Sequence, residues 1–398
     1  MEKLIELYRK KLSSINMDFI RSEESLINWN ARLVCIRGAR GVGKTTLLLQ
    51  HIKKDFENNY NKALYINLDN IYFSDNSLID LATDFIRRGG THLFLDEVHK
   101  MTDWSAILKN LYDDYPELHI AFTGSSLLEI LNARADLSRR ALVYEMQGLS
   151  FREYIAIKTG QNFPVLPLND IISKNEDISA SIASKIKPFE YFETYLKTGY
   201  YPFFLEGEED YYSRLNEIIN MILEIELPVL RNLGVPYIPK IKKLLAVIGK
   251  SAPFIPNVSE LASKIEVSRQ TLILYFKYLE DAKLLTQIFK ETRGLSALEK
   301  PDKILLENTN LMYFLSGELT DIGNVRETFV LNQLKKSHEV LFSEVSDFFV
   351  DKKYTFEIGG RNKKRKQIQN VENSYIVADN IEYGTDRRIP IWLFGFLY

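Results

Sequence analysis

Short apolar runs alternate with helical patterns along residues 31–146. The apolar runs are LVCI (33–36), ALYINL (63–68), HLFLDEV (92–98), HIAFTG (119–124) and ALVYEM (141–146). Between them, apolar residues recur at helical spacing from about Lys44 and around 77–87, 104–112 and 126–133. Apolar strands separated by helices are typical of a parallel sheet covered on both faces. The pattern predicts an α/β domain over 31–158, preceded by a helix and connector over 1–30.

The pattern changes after residue 158. Residues 160–188 are rich in Asn, Asp, Ser, Lys and Pro, and we interpret them as a connector or insertion. Aromatic helical segments follow. We assign the whole of 159–235 to a connector and helical lid.

The next segment predicts two helices and a hairpin. Asn257 and Ser268 are the expected N-cap residues of two helices that are separated by a tight turn. The apolar runs LLTQIF and KILLEN then predict a strand, a loop and a strand. A helix-turn-helix followed by a hairpin is the order of elements in a winged helix, so we assign 236–316 to a winged-helix domain.

Residues 317–398 predict a small mixed α/β domain. Its expected elements are the helix VRETFVLNQLKK, the strands SDFFVD, KYTFEIGG and SYIVAD, and the apolar run IPIWLFGFLY. The last run covers 389–398 and is about half as long as a membrane span. We therefore expect a buried strand there rather than an anchor.

Composition and charge narrow the function classes. The chain has 398 residues and a formal net charge of -2, so nucleic-acid binding requires a local basic patch. Cys35 is the single cysteine, which excludes an internal disulfide and a cysteine-based zinc cluster within this sequence. The N-terminal segment mixes charges into a helical pattern, unlike a signal peptide. We expect a soluble, cytoplasmic protein without membrane contact.

The strongest chemical signal follows the first apolar run. Residues 38–45 are GARGVGKT and match the pattern G-x-x-x-x-G-K-[ST] in full. In this pattern the glycines let backbone N–H groups approach phosphate oxygens, the lysine reaches the β- and γ-phosphates, and the hydroxyl ligates Mg²⁺. The alternative is a plain glycine turn between a strand and a helix. The residues expected to bind ATP are Gly38, Ala39, Arg40, Gly41, Val42, Gly43, Lys44, Thr45 and Thr46.

Two carboxylates end the third apolar run. Asp96 and Glu97 stand where a parallel strand delivers its last side chains to the ligand-binding edge of the sheet. We expect Asp96, with Thr45, to hold Mg²⁺, directly or through water. Glu97 is the expected general base for the attacking water. The alternative is a strand that ends in a solvated acidic turn.

Besides Lys44, three residues are candidates for contact with the γ-phosphate. Thr123 ends the fourth run, where its hydroxyl can touch the γ-phosphate or the attacking water; alternatively, Thr123 and Ser125 cap the next helix. Arg139 and Arg140 precede the fifth run, where a guanidinium can reach a γ-phosphate in the same or a neighbouring subunit. The alternative is two solvated surface arginines. His99 receives no catalytic role, because a lone loop histidine is more often structural.

The motif segments resemble a known family. RGARGVGKTTLL, LFLDEVHK, FTGSSLLEI and LSRRALVYEMQGLSFREY, in that order, resemble the prokaryotic AAA-type ATPases of the archaeal-ATPase-like and AAA-14 family. The resemblance is specific over 30–155, and YLKTGYYPFF is similar to the family's glycine-bearing segment. It implies the additional-strand P-loop architecture, a helical lid and a winged helix. The roles it implies are nucleotide and Mg²⁺ binding by Lys44 and Thr45, a Walker B pair at Asp96 and Glu97, and sensor 1 at Thr123.

In this family the C-terminal part often resembles a restriction endonuclease. That fold uses two acidic residues and a lysine two positions after the second. Asp347 in SDFFVD and Glu357 in TFEIGG match the two carboxylates, which can share Mg²⁺ for phosphodiester cleavage, and Glu327 can add a third. Gly359, however, occupies the lysine position. We therefore expect a nuclease-like domain whose cleavage activity is weakened or lost.

Two basic surfaces are candidate contacts with double-stranded DNA. The cations on or after the second helix of the winged-helix pattern are Arg269, Lys277 and Lys283. Alternatively, this motif acts as an ATPase lid or a protein contact. The C-terminal basic stretch comprises Arg361, Lys363, Lys364, Arg365 and Lys366, which can neutralise phosphates or form a solvated loop. Arg361 or Lys363 can also substitute for the missing nuclease lysine.

The sequence therefore predicts an α/β multidomain protein. A P-loop NTPase parallel sheet with helices on both faces is followed by a helical and winged-helix region and a small mixed α/β nuclease-like domain. We expect an ATP-binding, Mg²⁺-dependent ATPase of the AAA type whose nucleotide cycle controls the binding of a protein or DNA partner. Two alternatives stay open: an ATP-gated DNA nuclease that uses the C-terminal carboxylates, and a nucleotide-dependent switch that does not hydrolyse ATP.

Overall fold

The computed structural model describes residues 2–125, 137, 139–231, 233–251, 253, 255–291 and 300–398. The helix predicted around 126–133 lies outside these ranges. The chain forms two compact units, Met1–Gly148 and Leu149–Tyr398. The finer division into five domains stays a prediction. Within the described ranges, no helix is both long enough and apolar enough to cross a membrane.

In the described part of the first unit, five strands build one sheet. They are β1 (Leu33–Gly38), β2 (Ala63–Asn67), β3 (His92–Asp96), β4 (His119–Ser125) and β5 (Leu142–Met146). Every neighbouring pair is parallel, and the order across the sheet is β2-β3-β4-β1-β5. β4 therefore lies between β1 and β3, and each strand falls on one of the predicted apolar runs.

Helices flank this sheet. They are α1 (Glu2–Ser14), α2 (Glu23–Leu26), α3 (Lys44–Asp55), α4 (Leu78–Arg87) and α5 (Trp104–Asp114). The four longer ones bury apolar residues, whereas the short α2 buries Glu23 and Glu24. α3 buries Leu47, Leu48 and Ile52 beside β1 and β4, and α1 buries Leu4 and Tyr8 beside β2. A parallel sheet of this order, with a glycine loop between β1 and the next helix, is a P-loop NTPase fold. The predicted fold class is confirmed.

The register of the sheet brings the candidate chemistry to one edge. Gly38, at the end of β1, lies level with Ser125 on β4 and with Met146 on β5. Asp96 ends β3 level with Asn67 on β2. Because ligands of open parallel sheets bind outside the carboxyl ends of the strands, this edge is the place to look for a site.

The second unit is mainly helical before residue 340. Its helices are α6 (Phe151–Thr159), α7 (Leu168–Ser173), α8 (Asn175–Ala183), α9 (Pro188–Thr194), α10 (Tyr211–Met221), α11 (Leu227–Arg231), α12 (Ile238–Ser251), α13 (Val258–Lys264), α14 (Arg269–Asp281), α15 (Thr309–Ser316) and α16 (Ile322–Leu334). π-Helical turns at Tyr195–Gly199 and Ile222–Glu226 continue α9 and α10. The segment interpreted as a connector thus contains α7 and α8. Their buried Leu168, Ile171 and Ile182 are spread among polar residues that dominate the composition.

The two predicted helices and the predicted hairpin follow, preceded by a further helix, α12. α12, α13 and α14 precede the antiparallel strands β6 (Leu285–Ile288) and β7 (Lys303–Leu306). Asn257 caps α13 by accepting the N–H of Glu260, and Ser268 caps α14 by accepting the N–H of Thr271. The tight turn between the two helices contains Glu266 with a φ of 58°.

A mixed sheet forms the C-terminal part of the second unit. Its strands are β8 (Val340–Phe342), β9 (Phe348–Val350), β10 (Tyr354–Gly359), β11 (Ser374–Ala378) and β12 (Arg388–Pro390). Their order is β12-β11-β10-β9-β8. β10, β11 and β12 are mutually parallel, whereas β9 pairs antiparallel with both β10 and β8. The predicted small mixed α/β region is therefore present.

The prediction of a buried strand over 389–398 is wrong for most of this range. β12 ends at Pro390, and Ile391–Phe396 form a 3-10 helix in which every residue is buried. Pro390 has no N–H to donate to a strand ladder. A run buried on all sides also lacks the alternation that distinguishes a strand from a helix.

Asn310, at the start of α15, joins three segments of the second unit. Its side-chain oxygen accepts the N–H of Tyr200 at 2.8 Å and the hydroxyl of Tyr211. Its amide nitrogen donates to the carbonyls of Tyr195 at 3.1 Å and Leu196 at 2.8 Å. The side chain is fully buried and uses its whole hydrogen-bonding capacity.

Replacing Asn310 with alanine tests this role. Asn310→Ala leaves buried donors and acceptors without partners, so we expect the free energy of unfolding of the second unit to fall by about 2–4 kcal/mol. Urea denaturation followed by circular dichroism measures the change. Asn216→Ala, at an exposed position of α10, is the control and should change stability by less than about 0.5 kcal/mol. Equal effects of the two substitutions would contradict the assignment.

Candidate functional site

The glycine loop runs from the end of β1 to the start of α3. Gly43, the residue before α3, has a φ of 100°, in the left-handed region that glycine adopts without steric cost. Gly38 has a different reason to be glycine, since a Cβ there would lie 2.2 Å from the carbonyl oxygen of Met146 on β5. The loop thus depends on glycine for its curvature and for its close approach to β5.

Lys44 lies over this loop. Its ammonium donates to the carbonyl oxygens of Gly38 and Ala39, both at 2.9 Å, and the residue is buried. The positive charge is therefore held at the loop itself, where it can neutralise phosphate oxygens. The sequence motif predicted this placement.

Arg21 supports the glycine loop through hydrogen bonds, although no sequence motif indicated this role. Its guanidinium is buried and donates to the carbonyl oxygens of Val42, Gln147 and Gly148, each at 3.0 Å. Val42 lies in the loop, whereas Gln147 and Gly148 directly follow β5. A planar guanidinium with several donors suits such a set of carbonyls.

Asp96 accepts hydrogen bonds from hydroxyl groups on three elements. Its Oδ2 accepts from Thr45 of α3 and from Tyr65 of β2, both at 2.7 Å, and its Oδ1 accepts from Thr123 of β4. Only 1% of Asp96 is exposed. Burial raises the pKa of Tyr65 well above its usual value, and the negative charge of Asp96 raises it further. Tyr65 therefore stays a neutral hydrogen-bond donor, a role that its position in an apolar run did not predict.

Glu97 lies beside Asp96 with a φ of 58°. Its N–H donates to the Thr123 hydroxyl at 3.1 Å, and its Oε2 lies 3.3 Å from Nε2 of His99. Nδ1 of His99 in turn accepts the N–H of Ser125 at 3.4 Å. Thr45, Asp96, Glu97 and Thr123 are thus brought together beside the loop, as predicted. His99, to which the sequence assigned no role, lies against them.

Arg139 and Arg140, the two candidate arginines, lie away from the glycine loop of their own chain. They precede β5, whose first residues are level with the start of β1, whereas the glycine loop follows the end of β1. A strand of this length spans about 16 Å. Arg140 pairs with Asp113 at 3.0 and 3.1 Å, and Arg139 is exposed. One chain therefore does not bring either guanidinium to its own loop.

A second set of charged residues lies in the C-terminal part of the second unit. Glu357 on β10 is buried and pairs with Lys363 at 2.5 Å. Lys303 on β7 pairs with Glu327 and lies 3.9 Å from Asp347, which also accepts the N–H of Ile358 at 2.7 Å. Burial raises the pKa of Glu327 and of Glu357, and the charge of Asp347 raises both further. The three predicted carboxylates are therefore gathered around two lysines.

Lys363 fills the space in which the nuclease motif would place a lysine. A Cβ added to Gly359 would lie 2.7–2.9 Å from Cδ, Cγ and Cβ of Lys363. The ammonium of Lys363 thus approaches Glu357 from a neighbouring loop, with its stem over Gly359. Of the two substitutes that the sequence suggested, Lys363 is the one that contacts a carboxylate.

A group of potential metal-ligand atoms lies near the N-terminus, in the first unit. In the described part of the chain, a group of three such residues with ligand atoms within 4.8 Å of one another is formed by Glu24, His51 and Asp55. Lys54 already pairs with Glu24 at 2.8 Å, and Trp29 stacks on His51 at 3.7 Å. We interpret this group as an ion-pair cluster that anchors the N-terminal segment to α3.

The candidate DNA-contacting cations differ in their exposure. Arg269 and Lys277 are exposed on α14. In the C-terminal basic stretch, Arg361, Lys364 and Lys366 are exposed. Arg365 instead donates to the hydroxyl of Ser374 at 2.9 Å and so supports β11. The stretch is therefore partly structural.

Two family models match the chain. Residues 30–155 match the AAA-14 model, described as an AAA domain. Residues 189–321 match a domain of unknown function, DUF8612. An uncharacterised protein of Methanocaldococcus jannaschii is 28% identical over 317 residues, which cover 76% of this chain and 66% of that protein. The chain thus spans slightly less than two thirds of this relative.

Similar solved structures come from several organisms. The Hsp104–ADP complex of S. cerevisiae is 15% identical, with 69% of this chain and 41% of that chain covered and a TM-score of 0.31. AMPPCP-bound DnaA from Aquifex aeolicus is 15% identical, with 70% and 87% covered and a TM-score of 0.24. Likenesses at this level support no argument about activity or partners. Residues 30–155 are thus similar in sequence to AAA domains and carry the P-loop sheet.

Proposed function

We propose that this chain is a Mg²⁺-dependent ATPase of the AAA type. The observation that carries the proposal is the meeting of Thr45, Asp96, Glu97 and Thr123 beside the glycine loop. These residues come from α3, β3 and β4, which are far apart in the sequence. Their types are those that phosphate and Mg²⁺ binding and water activation require.

Residues 38–46 bind the phosphates of ATP in this proposal. The N–H groups at the start of α3 and the Lys44 ammonium face the β- and γ-phosphates. Thr45 and Asp96 fit a hard divalent cation, because their oxygens lie 2.7 Å apart and Mg²⁺ prefers oxygen ligands. When bound, Mg²⁺ supplies positive charge that offsets the charge on the phosphates.

Glu97 accepts a proton from the attacking water, and Thr123 orients that water or contacts the γ-phosphate. The contact of Thr123 with both Asp96 and the N–H of Glu97 supports this assignment. A contact of Arg139 or Arg140 with a γ-phosphate requires the nucleotide of a neighbouring subunit, because neither residue lies near the glycine loop of its own chain. Water attacks the γ-phosphorus in line with the β–γ bridging oxygen; that P–O bond breaks and ADP leaves, as in other P-loop enzymes.

The first test compares wild type with Glu97→Gln. We expect wild type to release phosphate from Mg·ATP and Glu97→Gln to bind ATP but turn over about 10²–10⁴-fold more slowly, because the amide cannot accept the proton. Glu117→Gln, an exposed site in the same unit, is the control and should match wild type. ATP binding by wild type without turnover, with or without duplex DNA, would contradict the ATPase proposal and favour the non-hydrolysing switch.

The nucleotide cycle controls the binding of double-stranded DNA or of a protein in this proposal. The exposed Arg269 and Lys277 on α14, in the winged-helix region, support a DNA contact. A lid or protein-contact role for α14 is the alternative.

Salt dependence tests the DNA contact. Arg269→Ala and Lys277→Ala should each weaken duplex binding and reduce the slope of log affinity against log salt by about 1, since each removes one phosphate contact. Fluorescence anisotropy measures both quantities. Lys264→Ala, an exposed site on α13, is the control. Unchanged slopes in both variants would favour the protein-contact alternative.

A DNA nuclease is the second candidate function. The observation that favours it is the placement of Lys363 against Glu357, over the glycine that replaces the motif lysine. Against it, Lys363 and Lys303 already pair with the carboxylates that would bind metal. We therefore rank a weakened or lost nuclease above an active one.

Plasmid cleavage tests this ranking. We expect wild type to leave supercoiled DNA uncut in Mg²⁺ and in Mn²⁺, with and without ATP, because two ammonium groups compete with the metal for these carboxylates. Gel electrophoresis is the measurement. Cleavage that is lost in Glu357→Ala and retained in Glu372→Ala, an exposed site, would establish the nuclease instead.

A further inference from the structure

His99 is a buried imidazole directly behind the proposed general base. It lies in the 3-10 turn Val98–Lys100, which follows Glu97, and only 4% of its side chain is exposed. Neither the sequence motif nor the proposed chemistry uses it. Its two ring nitrogens nevertheless face two different parts of the site.

The contact with Ser125 determines the tautomer of His99. The backbone N–H of Ser125 can only donate a hydrogen bond, and it points to Nδ1 of His99 at 3.4 Å. Nδ1 accepts this N–H only when it is unprotonated, so the contact favours the tautomer with the proton on Nε2. The ring proton then resides on Nε2, and the imidazole is neutral.

The protonated nitrogen faces Glu97. Nε2 lies 3.3 Å from Oε2 of the Glu97 carboxylate, within ion-pair range but without the alignment of a hydrogen bond. At this distance the dipole of a neutral N–H attracts the carboxylate electrostatically. It lacks the full charge of an imidazolium, which would oppose proton uptake by Glu97. This is how a neighbouring polar group commonly orients a reactive side chain.

The end of β4 therefore contacts Glu97 in two ways. Thr123 accepts the backbone N–H of Glu97 at 3.1 Å, and Ser125 acts on the carboxylate through His99.

We propose that His99 is a positioning residue that holds the carboxylate of Glu97 in the orientation needed to accept a proton from water. The inference rests on the proposed ATPase function. A purely structural histidine is the competing account, and it predicts a loss of stability or of ATP affinity rather than a selective loss of turnover.

Two substitutions separate these accounts. In His99→Asn the side-chain oxygen can still accept the Ser125 N–H, but the contact with Glu97 is lost. In His99→Gln the amide nitrogen takes the place of Nε2 and keeps a donor near Glu97. We expect His99→Asn to lower kcat about 10- to 100-fold with KM and ATP affinity nearly unchanged, and His99→Gln to recover part of the loss.

The Glu97→Gln background is the specificity control. If His99 acts through Glu97, adding His99→Asn to Glu97→Gln should not lower the residual single-turnover rate further, because the side chain that His99 orients can no longer accept the proton. The ¹⁵N shifts of the imidazole report the tautomer in wild type without reference to activity. The chain has five histidines, and the resonance that disappears in His99→Asn belongs to His99.

The outcomes are distinguishable. Wild-type kcat in His99→Asn, equal losses in both backgrounds, or a charged or Nδ1-protonated His99 would each overturn the inference and leave the ATPase proposal intact. Absence of turnover in wild type would overturn the ATPase proposal, and the inference with it. A selective fall of kcat in His99→Asn together with an Nε2-protonated ring would support it.

Discussion

The buried carboxylate of Asp96 is the constraint on which the site of the first unit depends. A carboxylate with 1% exposure must be met by hydrogen-bond donors, because burial of an unpaired charge is costly. The hydroxyls of Thr45, Tyr65 and Thr123 donate hydrogen bonds to this carboxylate. The helix α3, the edge strand β2 and the central strand β4 therefore all contact one side chain. The parallel register of the sheet makes this possible, since it places the ends of these strands at the same edge.

The parts of the first unit that depend on local pattern were predictable. Each strand coincides with an apolar run, and the glycine motif lies between β1 and α3. The contacts of Tyr65 and Arg21, and the contact of His99 with Ser125, were not predictable, for a shared reason. Tyr65 meets Asp96 across 31 positions, and Arg21 meets Gln147 across 126, so no local spacing reports them. A tyrosine in an apolar run or a histidine in a loop is most simply structural until its partners are known.

The C-terminal region shows a similar limit. The sequence indicated two carboxylates and a glycine in place of a lysine, and it suggested two substitutes without deciding between them. The side chain of Lys363 occupies the space over Gly359, whereas Arg361 is exposed. Local spacing also failed over 389–398, where burial on every side removes the periodicity that separates a strand from a helix. In both places the outcome depends on tertiary packing.

The central claim is that Asp96, with Thr45, forms the metal-binding part of an ATP site. Calorimetric titration of ATP into wild type and Asp96→Asn, in Mg²⁺ and in EDTA, tests it most directly, because asparagine keeps the size of the side chain and removes its charge. The account predicts that wild type binds ATP more tightly in Mg²⁺ than in EDTA and that Asp96→Asn loses this difference. Equal affinities of wild type in the two conditions, or an undiminished Mg²⁺ effect in Asp96→Asn, would contradict it.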